Sequence, residues 1–171
     1  MQFRRVEQVE PLEEDVAAVA TLLGRHPAGG FRIAVVDGEG RPVVIENAPF
    51  LDDGTPMPTR FWLVGRELSL AIARLEGDGG VRRAERVIDP AHVMDVHRRY
   101  AEARDALIPA DHQGPVPSGG VGGTRRGVKC LHTHVANHLA GGDDPVGAWA
   151  LDQLADTGAL EARASLPSGC P

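Results

Sequence analysis

Four side chains able to hold a metal ion or move a proton fall on one short stretch: Cys130, His132, His134 and His138. Thiolate sulfur and imidazole nitrogen are the usual ligands of zinc-class ions, and two histidines four residues apart on a helix can share one ion. On that reading Cys130, His134 and His138 climb one helix edge in steps of four and hold a divalent transition metal such as zinc as cofactor. The same residue types also catalyse. A cysteine attacks as its thiolate, and a histidine carries protons near neutral pH. Cys130, His132 and His134 are therefore the catalytic candidates. The competing reading makes all of them hydrogen-bonded side chains at the edge of a core. The lack of a CxxC or HExxH pattern weighs toward it.

A different chemistry precedes this stretch. Gly119, Gly120, Gly122 and Gly123 let backbone N–H groups turn toward one point. Arg125 and Arg126 can fork onto phosphate or carboxylate oxygens, and Lys129, the only lysine, lies just beyond them. A helix opening there adds unpaired N–H donors. The expected ligand is a small anion held by Gly122, Gly123, Arg125, Arg126 and Lys129, with Arg60 joining from the aromatic segment Arg60-Phe61-Trp62. Neither a Walker loop nor a Rossmann fingerprint is present.

Several elements must position these residues. Pro11 to Leu23 has helical spacing of Leu12, Val16, Val19 and Leu23, with acids in its first turn. Phe31–Val36 and Pro42–Glu46 flank the turn signal Asp37-Gly38-Glu39-Gly40 and predict two strands, and Arg60–Val64 a third. A helix follows from Arg66 to Glu76, and Asp89-Pro90 opens a longer one through Val93, Val96, Tyr100 and Leu107. Residues from about Pro109 to Arg126 form a long loop. The histidine helix is expected over Val128 to Ala140. A turn of about 100° per residue puts Leu131, Val135 and Leu139 on its core stripe, Cys130, His134 and His138 on one edge of that stripe, and His132 on the other. His132 can add a third or fourth ligand to such a metal site only through a distorted helix start. Asp144-Pro145 begins the last helix. The fold class is thus α+β: a small antiparallel sheet of about three strands, one face of it needing cover, packed against about five helices. One domain over residues 1–171 is expected, with an ordered core at about 11–157 and a weakly ordered tail over 158–171.

Composition narrows the function. The formal charge of −6 and an aromatic content of 4% argue against nucleic-acid and anionic-membrane partners. No apolar run approaches a membrane span, and Met1-Gln2-Phe3-Arg4-Arg5 lacks a signal-peptide core. A cytoplasmic protein with Cys130 and Cys170 as thiols is expected. Three functions fit: a small-anion site of hydrolase type, a metal-binding regulatory module, or a non-enzymatic protein whose partner is another protein or a second copy of itself.

The segments Asp53-Gly54-Thr55-Pro56-Met57-Pro58-Thr59-Arg60-Phe61-Trp62-Leu63, Arg74-Leu75-Glu76, Gly127-Val128-Lys129-Cys130-Leu131-His132-Thr133-His134-Val135-Ala136, His138-Leu139-Ala140-Gly141-Gly142 and Pro145-Val146-Gly147 resemble the bacterial family called domain of unknown function 501. The likeness runs from the first helix to about Gly147. It implies a small cytosolic bacterial protein and brings no activity with it. Family genes often lie near those of a septum-formation protein and an exopolyphosphatase, which implies a link to cell division or phosphate metabolism by association.

Overall fold

The computed structural model describes residues 2–6 and 10–158. The expected weak order of the tail lies, from residue 159 onward, outside the described residues, as does Cys170.

Four strands form one antiparallel sheet in the order β1-β2-β3-β4: β1 (Phe3–Arg5), β2 (Phe31–Asp37), β3 (Pro42–Asn47) and β4 (Phe61–Leu63). The β2–β3 turn is fixed locally. Asp37 Oδ1 accepts from the N–H groups of Glu39 and Arg41, each at 2.9 Å, and Gly40 takes the positive φ of 82° that the turn needs. Strand β1 was not foreseen. It is three residues long and is held by the edge of β2.

Expecting one covered face understated the packing. β2 and β3 are buried along almost their whole length because both sides of the sheet are covered. Helix α1 (Glu13–Leu23) sets Val19, Val16 and Leu23 against Phe31, Ile33, Val36, Ile45 and Val64 on one face. The other face carries Ala34, Val35, Val43 and Val44. It packs under α2 (Arg66–Gly77), α3 (Gly80–Val87), α4 (Pro90–Asp105), α5 (Leu131–Leu139) and α6 (Pro145–Asp156). Gly79 at φ 80° separates α2 from α3, so the glycine-rich segment Gly77-Asp78-Gly79-Gly80 forms a tight corner between two helices.

Two buried polar side chains organise the helical layer. Tyr100 on α4 accepts a hydrogen bond from the Phe61 N–H at 3.1 Å and meets the Phe61 ring edge-on at 6.2 Å, which ties α4 to β4. Burial pushes its phenol up to about 12. Arg104, only 1% exposed, reaches the long loop. Its guanidinium donates to Gly119 O at 2.8 Å, Pro58 O at 3.3 Å and Pro117 O at 3.3 Å, and pairs with Asp105. That loop contains one 3-10 turn, Val121–Gly123.

Candidate functional site

Helix α5 starts three residues later than its periodicity suggests. Cys130 sits outside the helix at φ −154°, ψ 151°, as the cap residue, and Leu131 is the first helical position. No serine, threonine or aspartate caps this end. A carboxylate from α2 does so instead, and one from α3 holds the chain just before the helix. Glu76, in the last turn of α2, accepts the Leu131 N–H through Oε1, and Glu85 on α3 accepts the Val128 N–H at 3.0 Å. An anion at a helix opening is stabilised by the exposed N–H groups and the aligned peptide dipoles. Here the protein supplies that anion itself.

The extended cap turns Cys130 toward His132. Sulfur of Cys130, one ring nitrogen of His132 and a carboxylate oxygen of Glu76 all lie within 4.8 Å of one another, and all three residues are half-buried. His132 Nδ1 stands 3.2 Å from Glu76 Oε1, while Nε2 stands 3.1 Å from the carbonyl of Ser69 on α2. Cys130 Sγ also meets Thr133 Oγ1 at 3.3 Å. Burial and the nearby Glu76 charge work to raise the Cys130 thiol, but the hydrogen bonds with His132 and Thr133 outweigh them and hold its pKa below the ordinary thiol value. Burial likewise works to lower His132. Its contacts with Cys130, Glu76 and Ser69 overcome that, and its pKa lies above the ordinary imidazole value.

The arrangement is not a nucleophile–base–carboxylate relay. Such a relay puts the carboxylate on one ring nitrogen and the nucleophile on the other. In this protein the two nitrogens of His132 face Glu76 and the Ser69 carbonyl.

The remaining histidines of the stretch go elsewhere. His134 is 1% exposed, with Nδ1 at 2.9 Å from Asp144 Oδ2. Asp144 caps α6 by accepting from Val146 N and Gly147 N, each at 3.1 Å, and also takes the Asn137 amide at 2.9 Å. His138 stands outside the Cys130 cluster, and its Nδ1 is buried with no hydrogen-bond partner. The structure therefore brings Cys130 to His132 and Glu76, not to His134 and His138. A straight helix from Val128 would have aligned Cys130 with His134; the extended cap breaks that alignment.

The glycine loop packs against this centre. A side chain on Gly122 would press on Thr133, at 3.1 Å from its Oγ1, and one on Gly123 would press on Pro58. The loop amides are largely engaged within the protein. Gly120 N donates to Thr124 O at 2.8 Å, Gly123 N to Gly120 O at 2.9 Å and Val121 N to His97 Nδ1 at 3.1 Å. Gly120 lies directly on His97, where a methyl group would overlap the imidazole-bearing carbon. Arg125, Arg126 and Lys129 are exposed. Arg126 borders a cavity of about 510 Å³ walled by Ile88, Pro90, Val93 and Met94, with Glu85 and Gly127. Arg60 is committed to the sheet, where it bonds Glu46 at 2.6 Å and lies over the Phe61 ring.

Glu76, Ser69 and Asp144 were not singled out for these roles from sequence. Asp144 was legible as a cap, and Glu76 stood in the family-like segment Arg74-Leu75-Glu76, but nothing local pointed to its role, since its partners lie more than fifty positions away.

These features define an α+β protein with a thiol–imidazole–carboxylate centre at a helix opening. Residues 33–152 match the family model described as protein of unknown function DUF501, and the chain belongs to that family. No curated protein and no solved structure matches the chain. Among the described residues no helix is long and apolar enough to cross a membrane.

Proposed function

We propose that this protein binds a small phosphorylated or carboxylated molecule beside the opening of α5, at the exposed cations that precede it in the chain, and hydrolyses it there. The observation that carries the reading is the meeting of Cys130, His132 and Glu76 on a half-buried surface, next in the chain to the exposed cations Arg125, Arg126 and Lys129. Exposed guanidinium and ammonium groups draw an anion in and neutralise it. The loop amides are mostly engaged, so the side chains rather than an amide cradle supply the binding charge, and the loop serves as a wall, with Gly122 beside Thr133 and Gly123 beside Pro58. The apolar cavity beside Arg126 suits a ligand with a greasy body and a charged head. Hydrolysis needs only water as co-reactant: its hydroxyl joins the phosphoryl or acyl group, the bond to the leaving group breaks, and the proton goes to the leaving group.

Calorimetric titration of the full chain with phosphate, pyrophosphate, nucleotides and short-chain acyl phosphates tests the reading. Binding by the parent, lost in the Arg125→Ala/Arg126→Ala double variant, is the expected result. A parent that binds none of them overturns it.

A further inference from the structure

We propose that Glu76, Cys130 and His132 together bind one divalent transition-metal ion of the zinc class, with a coordination position left open toward solvent. This deepens the hydrolytic reading and rests on its placement of the centre.

The donor set comes first. One sulfur, one imidazole nitrogen and one carboxylate oxygen lie within 4.8 Å of one another. Ligands placed about 2.0–2.3 Å from a tetrahedral ion stand roughly 3.3–3.8 Å apart. The 3.2 Å between His132 Nδ1 and Glu76 Oε1 is already close to such an edge. Sulfur and imidazole select zinc, iron or cobalt over magnesium and calcium. A thiolate and a carboxylate also cancel the charge of a dication.

The surroundings orient these ligands. His132 Nε2–H donates to the Ser69 carbonyl, which turns Nδ1 toward the cluster, where an incoming ion takes the place of the Nδ1 proton. Metal-bound histidines are commonly held in this way by a backbone carbonyl on the far nitrogen. Glu76 is held by the Leu131 N–H, and Cys130 is held by Thr133. The three ligands come from a helix end, a cap residue and a first helical turn, so the fold fixes them before any ion arrives. Three protein ligands with a fourth place open is the pattern of catalytic rather than structural zinc. A bound ion there supplies a Lewis acid and a water of lowered pKa. That supplies the water activation which His132, with both nitrogens facing oxygens, does not.

The test uses the full chain stripped with a chelator, then titrated with zinc in competition with a chromophoric chelator and, separately, with cobalt(II). About one equivalent per chain is expected, with a thiolate-to-cobalt charge-transfer band in the near ultraviolet. Cys130→Ser removes the band, and His132→Gln weakens zinc binding at least about tenfold. His138→Ala leaves both unchanged. Circular dichroism on each variant shows that the fold is retained, and the band in the parent chain needs no variant at all. A parent that gives no charge-transfer band, or zinc binding that survives His132→Gln and is lost in His138→Ala, overturns the proposal. Zinc binding without anion binding would overturn the hydrolytic reading alone. Anion binding by a chain that takes up no zinc would overturn the metal site alone.

Discussion

Replacing Asp144 by alanine should cost this protein a large part of its stability, and the structure says why. One carboxylate, 1% exposed, takes hydrogen bonds from four donors: two at the opening of α6, His134 and Asn137. Loss of a helix cap costs about 1 kcal/mol. Leaving the buried His134 and Asn137 donors without acceptors costs roughly 1–3 kcal/mol each. Some water enters the space, so the total falls at roughly 3–5 kcal/mol, against a typical stability of about 5–15 kcal/mol. Asp144→Asn keeps the shape and one acceptor but sets a second amide against these donors, and should cost about half as much. Urea unfolding followed by circular dichroism measures both. The pH dependence adds a check. Burial works to raise Asp144, but its bonds with His134, Asn137 and Gly147 outweigh that and its pKa lies below the ordinary 3.8. A carboxylate with a depressed folded pKa stabilises above its unfolded value and loses that contribution as pH falls through the folded value. The gap between parent and Asp144→Ala should hold steady above 3.8 and close below it. A loss under about 1 kcal/mol, or a gap that widens in acid, refutes the reasoning.

Two further outcomes follow from the way the glycine loop is held. Arg104→Met removes the donor to Gly119 O, Pro117 O and Pro58 O at once; limited proteolysis should then cut between residues 110 and 127 many times faster while α5 and α6 stay protected, and an unchanged cleavage rate would contradict this. His97 accepts from Val121 N and bonds Gly127 O at 2.9 Å, and burial, with the nearby His134 adding to it, lowers its pKa below 6.5 despite opposing contributions from Gly127 and Asp144. Its neutral form therefore stabilises the fold fully above 6.5, and that contribution is lost as pH falls from 6.5 toward the lower folded value. Amide exchange at Val121, corrected for its intrinsic rate, should speed up across that window, and constant protection would sink the assignment.

Much of the scaffold is written locally. Asp89-Pro90 and Asp144-Pro145 mark the openings of α4 and α6, and the structure starts those helices there. The Asp37–Gly40 turn and its two flanking strands are equally plain, because the turn residues bond one another. Two-sided burial of the sheet was present in the apolar runs Ile33–Val36 and Val43–Ile45, which a half-exposed strand would not carry. The centre was harder to read. Cys130 and His132 stood out by residue type, but whether they meet depends on where α5 begins. Glu76 from α2 holds the start at Leu131, and Glu85 from α3 holds the preceding chain at Val128. Helical angles computed from an earlier start send Cys130 toward His134. Arg104 teaches the same lesson. Four residues after Tyr100 on the same helix, its sequence position explains no more than the salt bridge it makes with Asp105, yet its guanidinium is buried against carbonyls that only the folded loop brings near.

X-ray absorption at the zinc edge, on the zinc-loaded full chain, tests the central claim most directly. The expected coordination shell has one sulfur at about 2.3 Å and nitrogen or oxygen neighbours at about 2.0–2.2 Å, with the sulfur contribution absent in Cys130→Ser. A shell with no sulfur in the parent, or one that keeps its sulfur in Cys130→Ser, would contradict the assignment of Glu76, Cys130 and His132 as a metal centre.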